Sequence, residues 1–355
     1  MKSKIIGLCI LIAAIAVGCV YYFGFANRPA AATIDGYLGG EKIGLFEDEE
    51  FTKILEKDYN LKIEYSKAGS LDMISADQSG RDYLFPSSQV ALELYREKYG
   101  NPKKSEIIFN TPIVIYTHKE VVSALKKQNV VIDLGDGAQG LDLVKFLKLI
   151  QDGKKWSDIG LSQLYGSVTI ATTDPVRSNS GNMFAGLVAD VLSDGGVADE
   201  ENIDEILPQL KSIFEKAGYM ESSSSDLFNQ FLRTGMGAKP MVAGYESQIL
   251  EFAVENPDDW ADLKDDIVML YPVPTVWSSH PFIALDDNGA KAIDALLSED
   301  IQKIAWEKHG FRTGVSSDAA DTSAFDVSGI KPVVQSVVPM PDSGTMEKII
   351  DTLGS

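Results

Sequence analysis

Two short segments of the sequence place small polar residues where predicted helices begin. The first is 68–70, which ends in Ser70, and the second is 174–182, which contains Ser178, Ser180, Gly181 and Asn182. The start of a helix offers unpaired N–H groups and a partial positive charge, so hydroxyl groups there either cap the helix or bind an anion. Each segment follows a predicted strand, and open α/β sheets bind ligands at the carboxyl ends of their strands. Both interpretations are compatible with these residues alone.

Other kinds of site chemistry lack the residues that they need. Both cysteines, Cys9 and Cys19, lie in the first 19 residues, and the three histidines, His118, His280 and His309, are far apart. A thiolate zinc site or a cysteine nucleophile is therefore excluded from the rest of the chain. The sequence contains no G-x-S-x-G elbow, no P-loop and no calcium loop. We predict no catalytic residue, no metal site and no cofactor.

Composition narrows the possible partners. The chain has 355 residues, with 32 Lys and Arg against 52 Asp and Glu, for a formal net charge of -20. A protein that neutralises nucleic-acid phosphates needs the opposite balance, so no nucleic-acid partner is expected. The length is sufficient for about two domains.

The start of the chain predicts a membrane segment. Residues 5–26 carry no charge, and a helix of that length can cross a hydrocarbon core of about 30 Å. Lys2 and Lys4 precede the run and no acidic residue occurs before Asp35, so the rest of the chain is expected outside the cytoplasm. We predict an uncleaved anchor within 1–28. The stretch 16–19 loosely resembles a lipobox, so a lipoprotein attached through Cys19 is the alternative, and simple cleavage is a third.

Strands and helices alternate along the remainder of the chain. Predicted strands cover 42–46, 61–65, 82–86, 107–116, 168–172 and 266–276. Predicted helices cover 47–57, 88–99, 140–151, 182–192, 227–232, 290–297, 300–309 and 345–353. This alternation is typical of an α/β protein whose mostly parallel sheets carry helices on both faces.

Several stretches, in their order and spacing, resemble a known family. They are, among others, GGEK at 39–42, KAGS at 67–70, LFPSS at 84–88, FNTPIVI at 109–115, SNSG at 178–181, GYE at 244–246 and SHP at 279–281. From Ile34 to Val315 the chain resembles the type II extracytoplasmic solute-binding proteins of ABC importers, especially the molybdate- and sulfate-binding group. No single stretch is specific, so the resemblance depends on all of them together.

The resemblance implies two α/β lobes, each a mostly parallel sheet flanked by helices, with two crossing segments between them. Lobe one would comprise 33–117 plus 271–315, and lobe two would be the inserted segment 118–270. The remaining parts are the N-terminal segment 1–28 and a C-terminal extension, 316–355, which is longer than in the molybdate binders.

The resemblance also implies a ligand site in the cleft between the lobes. Its residues, carried over by position, are Ser70, Ser87 and Ser88 from lobe one, Thr111 at the crossing, Ser178, Ser180, Gly181, Asn182 and Tyr245 from lobe two, and Lys42 near the first pocket loop. The expected ligand is a small polar solute, in particular an oxyanion, and the expected partner is an ABC permease. A ligand-sensing or surface interaction protein on the same fold is the alternative, followed by an exported enzyme.

Overall fold

The computed structural model describes residues 13, 15–16, 31–193, 196–314 and 320–354. The predicted membrane segment lies outside these residues except for Ala13, Ile15 and Ala16. Within the described ranges, no helix is both long and apolar enough to span a membrane. Cys19, on which the lipoprotein alternative depends, also lies outside them.

In the described part of the chain, ten strands, β1 to β10 in chain order, form the sheet. Their bounds are Ala32–Leu38, Leu61–Lys67, Tyr83–Phe85, Lys104–His118, Val131–Gly135, Ala138–Asp142, Met241–Tyr245, Ile267–Val273, Trp277–Ala284 and Arg312–Thr313.

The α-helices are numbered α1 to α14 in the same way. Their bounds are Ile43–Glu47, Glu49–Asp58, Asp72–Ser75, Gln89–Tyr99, Lys119–Lys127, Leu143–Gln151, Asn179–Leu192, Ile203–Ala217, Ser224–Thr234, Glu246–Glu255, Pro257–Leu263, Asp287–Leu296, Glu299–Glu307 and Ser343–Leu353. Short 3₁₀ helices occupy Gly40–Lys42, Trp156–Ile159 and Thr322–Ala324.

The long strand β4 connects the two halves of the sheet. The strand order is β2-β1-β3-β9-β4-β8-β6-β5, and β7 and β10 also pair with β4. Residues 104–112 of β4 pair with β9, whereas residues 113–118 of β4 pair with β7 and β8. The pairs β1–β2, β1–β3 and β6–β8 are parallel, and β4 runs antiparallel to all its partners. The predicted α/β class is therefore confirmed, with antiparallel pairs concentrated where the chain crosses between the halves.

Separate apolar cores hold the two halves of the sheet. Around β1, β3 and β9 the core contains Phe46, Phe85, Phe109, Phe282 and Phe311. The largest core contains Phe146, Trp156 and Phe184 with most of α7. Met346 and Ile349 of the C-terminal helix α14 belong to that second core, so the C-terminal extension is packed as part of the fold. Burial of apolar area at about 25 cal/mol per Å² is the main stabilising contribution in both halves.

The predicted strand over 42–46 is wrong. This stretch is a 3₁₀ turn followed by α1, which buries Leu45 and Phe46. The strand lies earlier, at β1, where Ile34, Gly36 and Leu38 are the buried, alternate residues. Sequence reading missed β1 because a glycine interrupts its apolar alternation. That glycine is required, since a Cβ at Gly36 would collide with the carbonyl oxygen of Tyr83 on β3.

Three other strand predictions need correction. The stretch 168–172 forms only an isolated bridge, between Ala171 and Val242, because its chain runs extended without a continuous partner. The predicted strand 266–276 ends at Val273, and β9 follows as a separate strand. The predicted strand 107–116 is part of the longer strand β4, and its residues Asn110, Thr111 and Pro112 continue the pairing with β9.

Candidate ligand-binding site

The hydroxyl groups that open α7 are linked to one another. Ser178 occupies the N-cap position, yet its side chain forms no capping hydrogen bond with the described residues. Its Oγ lies 3.2 Å from Oγ of Ser180, which in turn lies 2.7 Å from Oγ1 of Thr173. Gly181 allows this turn to be tight, because a Cβ there would collide with the carbonyl of Thr173. Capping therefore does not account for Ser178.

Ser70 also has a role other than capping the helix that follows it. Its Oγ accepts a hydrogen bond of 2.9 Å from the backbone N–H of Ser87, and the residue is 4% exposed. Ser88, the next residue, is an ordinary N-cap of α4 and accepts from the N–H of Val90 at 3.2 Å. Of these two neighbouring serines, Ser87 therefore belongs to the candidate site and Ser88 caps a helix.

A buried ion pair lies beside Ser87. Nζ of Lys42 donates to Oγ of Ser87 at 2.7 Å and also to the Glu41 carboxylate, which accepts a further hydrogen bond from Ser87 Oγ. Burial alone would raise the pKa of Glu41, but the charge of Lys42 and the hydrogen bonds from Lys42 and Ser87 lower that pKa to about 2. Burial lowers the pKa of Lys42, and the Glu41 carboxylate opposes this shift. Glu41 is therefore an anion that accepts hydrogen bonds from the ammonium group of Lys42 and the hydroxyl group of Ser87.

Side chains from both halves of the molecule converge on the carbonyl oxygen of Ser87. It accepts from Nδ2 of Asn179 at 2.9 Å and from Oγ of Ser278 at 2.7 Å. The same Nδ2 donates to the hydroxyl oxygen of Tyr245 at 2.9 Å. Burial raises the pKa of Tyr245, so its hydroxyl stays protonated and can donate a hydrogen bond. The result is a group of polar donors inside an otherwise apolar junction.

His280 and Asn182 leave polar atoms unused in this region. Burial and the charge of Lys42 lower the pKa of His280 well below its usual range, so the ring is neutral. Its Nε2 lies 3.3 Å from Oγ of Ser278, while its Nδ1 has no hydrogen-bond partner within the described part of the chain. Asn182 is 2% exposed, and neither of its amide atoms finds a partner among the described residues. Such groups are costly to bury unless something else bonds to them.

The predicted site residues therefore divide into two sets. The structure brings six of them into one cluster of contacts: Lys42, Ser70, Ser87, Ser178, Ser180 and Tyr245. Ser178 and Ser180 join it through the Tyr245 hydroxyl, with which the Ser180 side chain forms a hydrogen bond. Gly181 and Asn182 lie in the same first turn of α7. Ser88 caps α4, and Thr111 accepts from the N–H of Ser247 at 3.1 Å, so the described contacts link neither to the cluster through its side chain.

The sequence analysis missed five residues of the cluster: Glu41, Thr173, Asn179, Ser278 and His280. Glu41 and Asn179 stand directly beside predicted site residues, so widening each motif by one position would have included them. Ser278 and His280 reach the site because β9 pairs with β4. The paired residues are more than 160 positions apart in the sequence, so a local sequence pattern cannot predict the pairing.

A cavity of about 460 Å³ opens next to Glu41. One wall is formed by Gly40, Glu41, Ile43, Gly44 and Lys67, and the other by residues of α9, α10 and the following turn, among them Ser225, Phe228, Ser247, Gln248, Glu251 and Glu255. Small-molecule sites have volumes of about 300–1,000 Å³ and a few polar groups on mostly apolar walls. The cavity is therefore large enough for a small solute and gives it access to Glu41.

Solved structures with a similar fold include the substrate-binding protein of an ABC transporter from Agrobacterium tumefaciens. It is 13% identical, over 92% of this chain and 96% of that one, with a TM-score of 0.56. Iron-bound HitA from Pseudomonas aeruginosa is 12% identical, over 91% and 100%, with a TM-score of 0.59. A two-component system protein described as mediating signal transduction is 12% identical, over 91% and 100%, with a TM-score of 0.58. A scan against protein-family models and a search of curated proteins found no match.

The structural likeness confirms the predicted fold. The chain adopts the two-lobed α/β fold found in the substrate-binding proteins of ABC transporters. At 12–13% identity the likeness concerns the fold, so the function is argued from the residues of the site.

Proposed function

We propose that the protein captures a small polar solute in the cleft between its lobes and delivers it to an ABC permease outside the cytoplasm. The observation that carries this proposal is the convergence on Ser87 of polar side chains from both predicted lobes. Ser70 and Lys42 come from lobe one, and Asn179 and Tyr245 come from lobe two. A ligand that bonds to both sets should favour the conformation in which the two lobes are close together, because a ligand shifts the population toward the state that it binds best.

We further propose that the solute is an oxyanion that takes the place of the Glu41 carboxylate. The donors of Lys42 and Ser87 already hold one anion, supplied by the chain itself. An incoming oxyanion can use the same donors together with the hydroxyls of Ser178, Ser180 and Tyr245. Each hydrogen bond to a charged group contributes about 1.5–3 kcal/mol. Several such bonds together are sufficient to hold an anion, because salt screens the repulsion from the acidic surface.

A ligand-sensing protein remains the second candidate. One protein of the same fold is described as mediating signal transduction, and sensing would use the same cleft. The two functions differ in the partner, so uptake of the bound solute by cells with and without the gene distinguishes them.

Loss of the hydroxyls at Ser70 and Ser180 should abolish most of the thermal stabilisation by the ligand. Each change to alanine removes a group that lies in the cluster, at a cost to stability that is small beside the lost binding. A screen of small anions by native mass spectrometry on residues 33–355 identifies the ligand, and melting curves then measure its effect. Ser223→Ala is the matched control, because Ser223 caps α9 and accepts from the N–H of Asp226. A ligand-induced shift that survives both cluster variants would contradict the site.

Glu41→Gln separates an oxyanion from a cation in the same experiment. It removes the negative charge that competes for Lys42 and Ser87, so an oxyanion should bind at least about tenfold more tightly, a gain of about 1.4 kcal/mol. A cationic ligand would instead lose its counter-charge and bind more weakly. The second result would overturn the oxyanion proposal and leave the solute-binding proposal intact.

We propose that residues 1–28 anchor the domain in the membrane as an uncleaved helix. The support is the uncharged run 5–26 with Lys2 and Lys4 before it. The full-length chain should stay in the membrane fraction after alkaline extraction, and external protease should reach the domain. Release of the domain by Cys19→Ala would show that a lipid on Cys19 is the anchor instead.

A further inference from the structure

Three potential metal ligands lie close together beside the cavity, and two of them, Glu251 and Glu255, line its wall. Glu251 and Glu255 are one turn apart on α10 and share a face, and His309 follows α13. One ligand atom from each residue lies within 4.8 Å of the others. The closest pair is Nδ1 of His309 and Oε1 of Glu251, at 2.6 Å.

The backbone opposite these side chains leaves room for them. A Cβ at Gly44 would collide with Oε1 of Glu251 and would lie 3.5 Å from Nδ1 of His309. Gly44, Glu251 and Glu255 all line the 460 Å³ cavity, which gives an ion from solution access to the group. The absence of a side chain at Gly44 of α1 thus leaves space for the side chains of Glu251 and His309.

The charges around the group favour a cation. Glu251, Glu255 and the nearby Asp48 place three carboxylates around one imidazole, and Oε1 of Glu251 lies 2.6 Å from Nδ1 of His309. His309 is 2% exposed, and its Nε2 has no hydrogen-bond partner in the described ranges. That nitrogen lies 3.7 Å from Oδ2 of Asp48, a carboxylate that Lys308 holds at 3.0 Å. At that distance Asp48 adds negative charge on the far side of the imidazole but forms no hydrogen bond with Nε2.

We propose that Glu251, Glu255 and His309 bind one first-row divalent metal ion, such as Zn²⁺ or Mn²⁺. An imidazole with two carboxylates suits these ions better than Ca²⁺ or Mg²⁺, which prefer oxygen ligands alone. Metal–ligand distances are about 2.0–2.2 Å, so the contact between His309 and Glu251 opens as the ion enters. The sequence analysis did not predict this site, because its histidine and its glutamates lie more than 50 residues apart in the chain.

The ion would join the two predicted lobes. Glu251 and Glu255 belong to the segment 118–270, whereas His309 and Gly44 belong to the segments 271–315 and 33–117. Ligands from both sides make metal binding favour the closed arrangement, by the same linkage that applies to any ligand of one conformation. A bound ion would therefore hold the two predicted lobes together beside the proposed solute cleft.

Isothermal titration of the full-length chain, stripped of metal with EDTA, tests the proposal. Zn²⁺ and Mn²⁺ are the probes, with Mg²⁺ and Ca²⁺ for comparison. We expect one equivalent of Zn²⁺ to bind and to raise the melting temperature. Glu251→Gln and Glu255→Gln should each weaken binding by at least about tenfold. Asp259→Asn, which changes an exposed carboxylate on the neighbouring helix α11, should leave it unchanged.

Three results would overturn the proposal: no saturable binding of Zn²⁺ or Mn²⁺, binding that persists in both glutamine variants, or equally tight binding of Ca²⁺. The two glutamine variants keep the shape of the side chain, and Glu255 is exposed, so the fold should tolerate at least one of them. Ser180→Ala should leave Zn²⁺ binding intact while it removes the anion response. The metal site and the proposed solute site can therefore fail independently.

Discussion

Replacing Arg312 with methionine should lower the free energy of unfolding by about 3–5 kcal/mol, because it leaves a buried carboxylate without its cation. Glu246 is fully buried, and Arg312 is 7% exposed. Nε of Arg312 donates to Oε2 of Glu246 at 2.6 Å, and Nη2 donates to Oε1 at 2.9 Å. Two parallel bonds from one guanidinium are among the strongest hydrogen-bond arrangements in proteins.

The pair is the centre of a wider network. The hydroxyl of Tyr271 donates to the same carboxylate and accepts from the N–H of Lys331 at 3.0 Å. Arg312 also donates to the carbonyls of Lys331 and Pro332, at 2.6 and 3.1 Å. The network thus joins α10, β8, β10 and the C-terminal extension. Loss of Arg312 breaks several of these bonds at once, which places the expected effect in the upper part of the range for single substitutions.

Urea unfolding measures the effect, and two further variants show its origin. Glu246→Met combined with Arg312→Met should recover most of the loss, because no charge is then left unpaired. Lys104→Met is the control for a surface pair: Nζ of Lys104 lies 2.8 Å from Asp294 and both side chains are exposed, so the expected loss is about 0–1 kcal/mol. If Arg312→Met were as mild as that control, the buried pair would not stabilise the fold as argued.

Features set by nearby residues were predictable from the sequence. Helix α4 begins at Gln89 because Ser88 caps it, and α7 carries its apolar face close to where periodicity put it. The serines at 70 and 180 stood out because each precedes a helix. Local composition reports such features directly, since the residues that cause them are within one turn.

Features that depend on distant partners were not predictable in the same way. Lys42 was expected in a strand but lies at the end of a 3₁₀ turn, where Ser87, 45 residues away, accepts its hydrogen bond. The identity of Arg312 gives no indication that Glu246 is its partner. The Glu41 carboxylate accepts hydrogen bonds from Lys42 and Ser87, two residues that the sequence analysis predicted to bind a ligand. In each case the fold pairs residues whose spacing in the chain carries no information.

The contribution of Asp190 to the free energy of unfolding should fall as pH rises from about 4 to 7, because this carboxyl group is buried in α7. The residue is 2% exposed. Its Oδ1 accepts from the N–H of Ala198 at 2.8 Å, while Oδ2 has no partner in the described part of the chain. Burial raises the pKa of Asp190 to about 7, although the Ala198 hydrogen bond acts in the opposite direction.

The direction of the effect follows from proton linkage. The carboxyl group of the unfolded chain has a pKa of about 4, so between pH 4 and 7 the unfolded state has lost this proton while the folded state retains it. Unfolding then releases a proton, and each pH unit lowers the free energy of unfolding by about 1.4 kcal/mol. The contribution reaches at most about 4 kcal/mol and changes no further above pH 7, where both states are ionised.

Asp190→Asn should remove this contribution, because the amide oxygen still accepts from Ala198 but the side chain cannot ionise. Near pH 4 the variant and the parent should have similar stability. By pH 8 the variant should be more stable by up to about 4 kcal/mol. Urea unfolding at unit steps of pH measures the difference, and Asp262→Asn, at an exposed position of α11, should show a constant offset instead. Parallel profiles for Asp190→Asn and the parent would contradict this prediction, because they would mean that the carboxylate ionises in the folded protein as readily as in the unfolded chain.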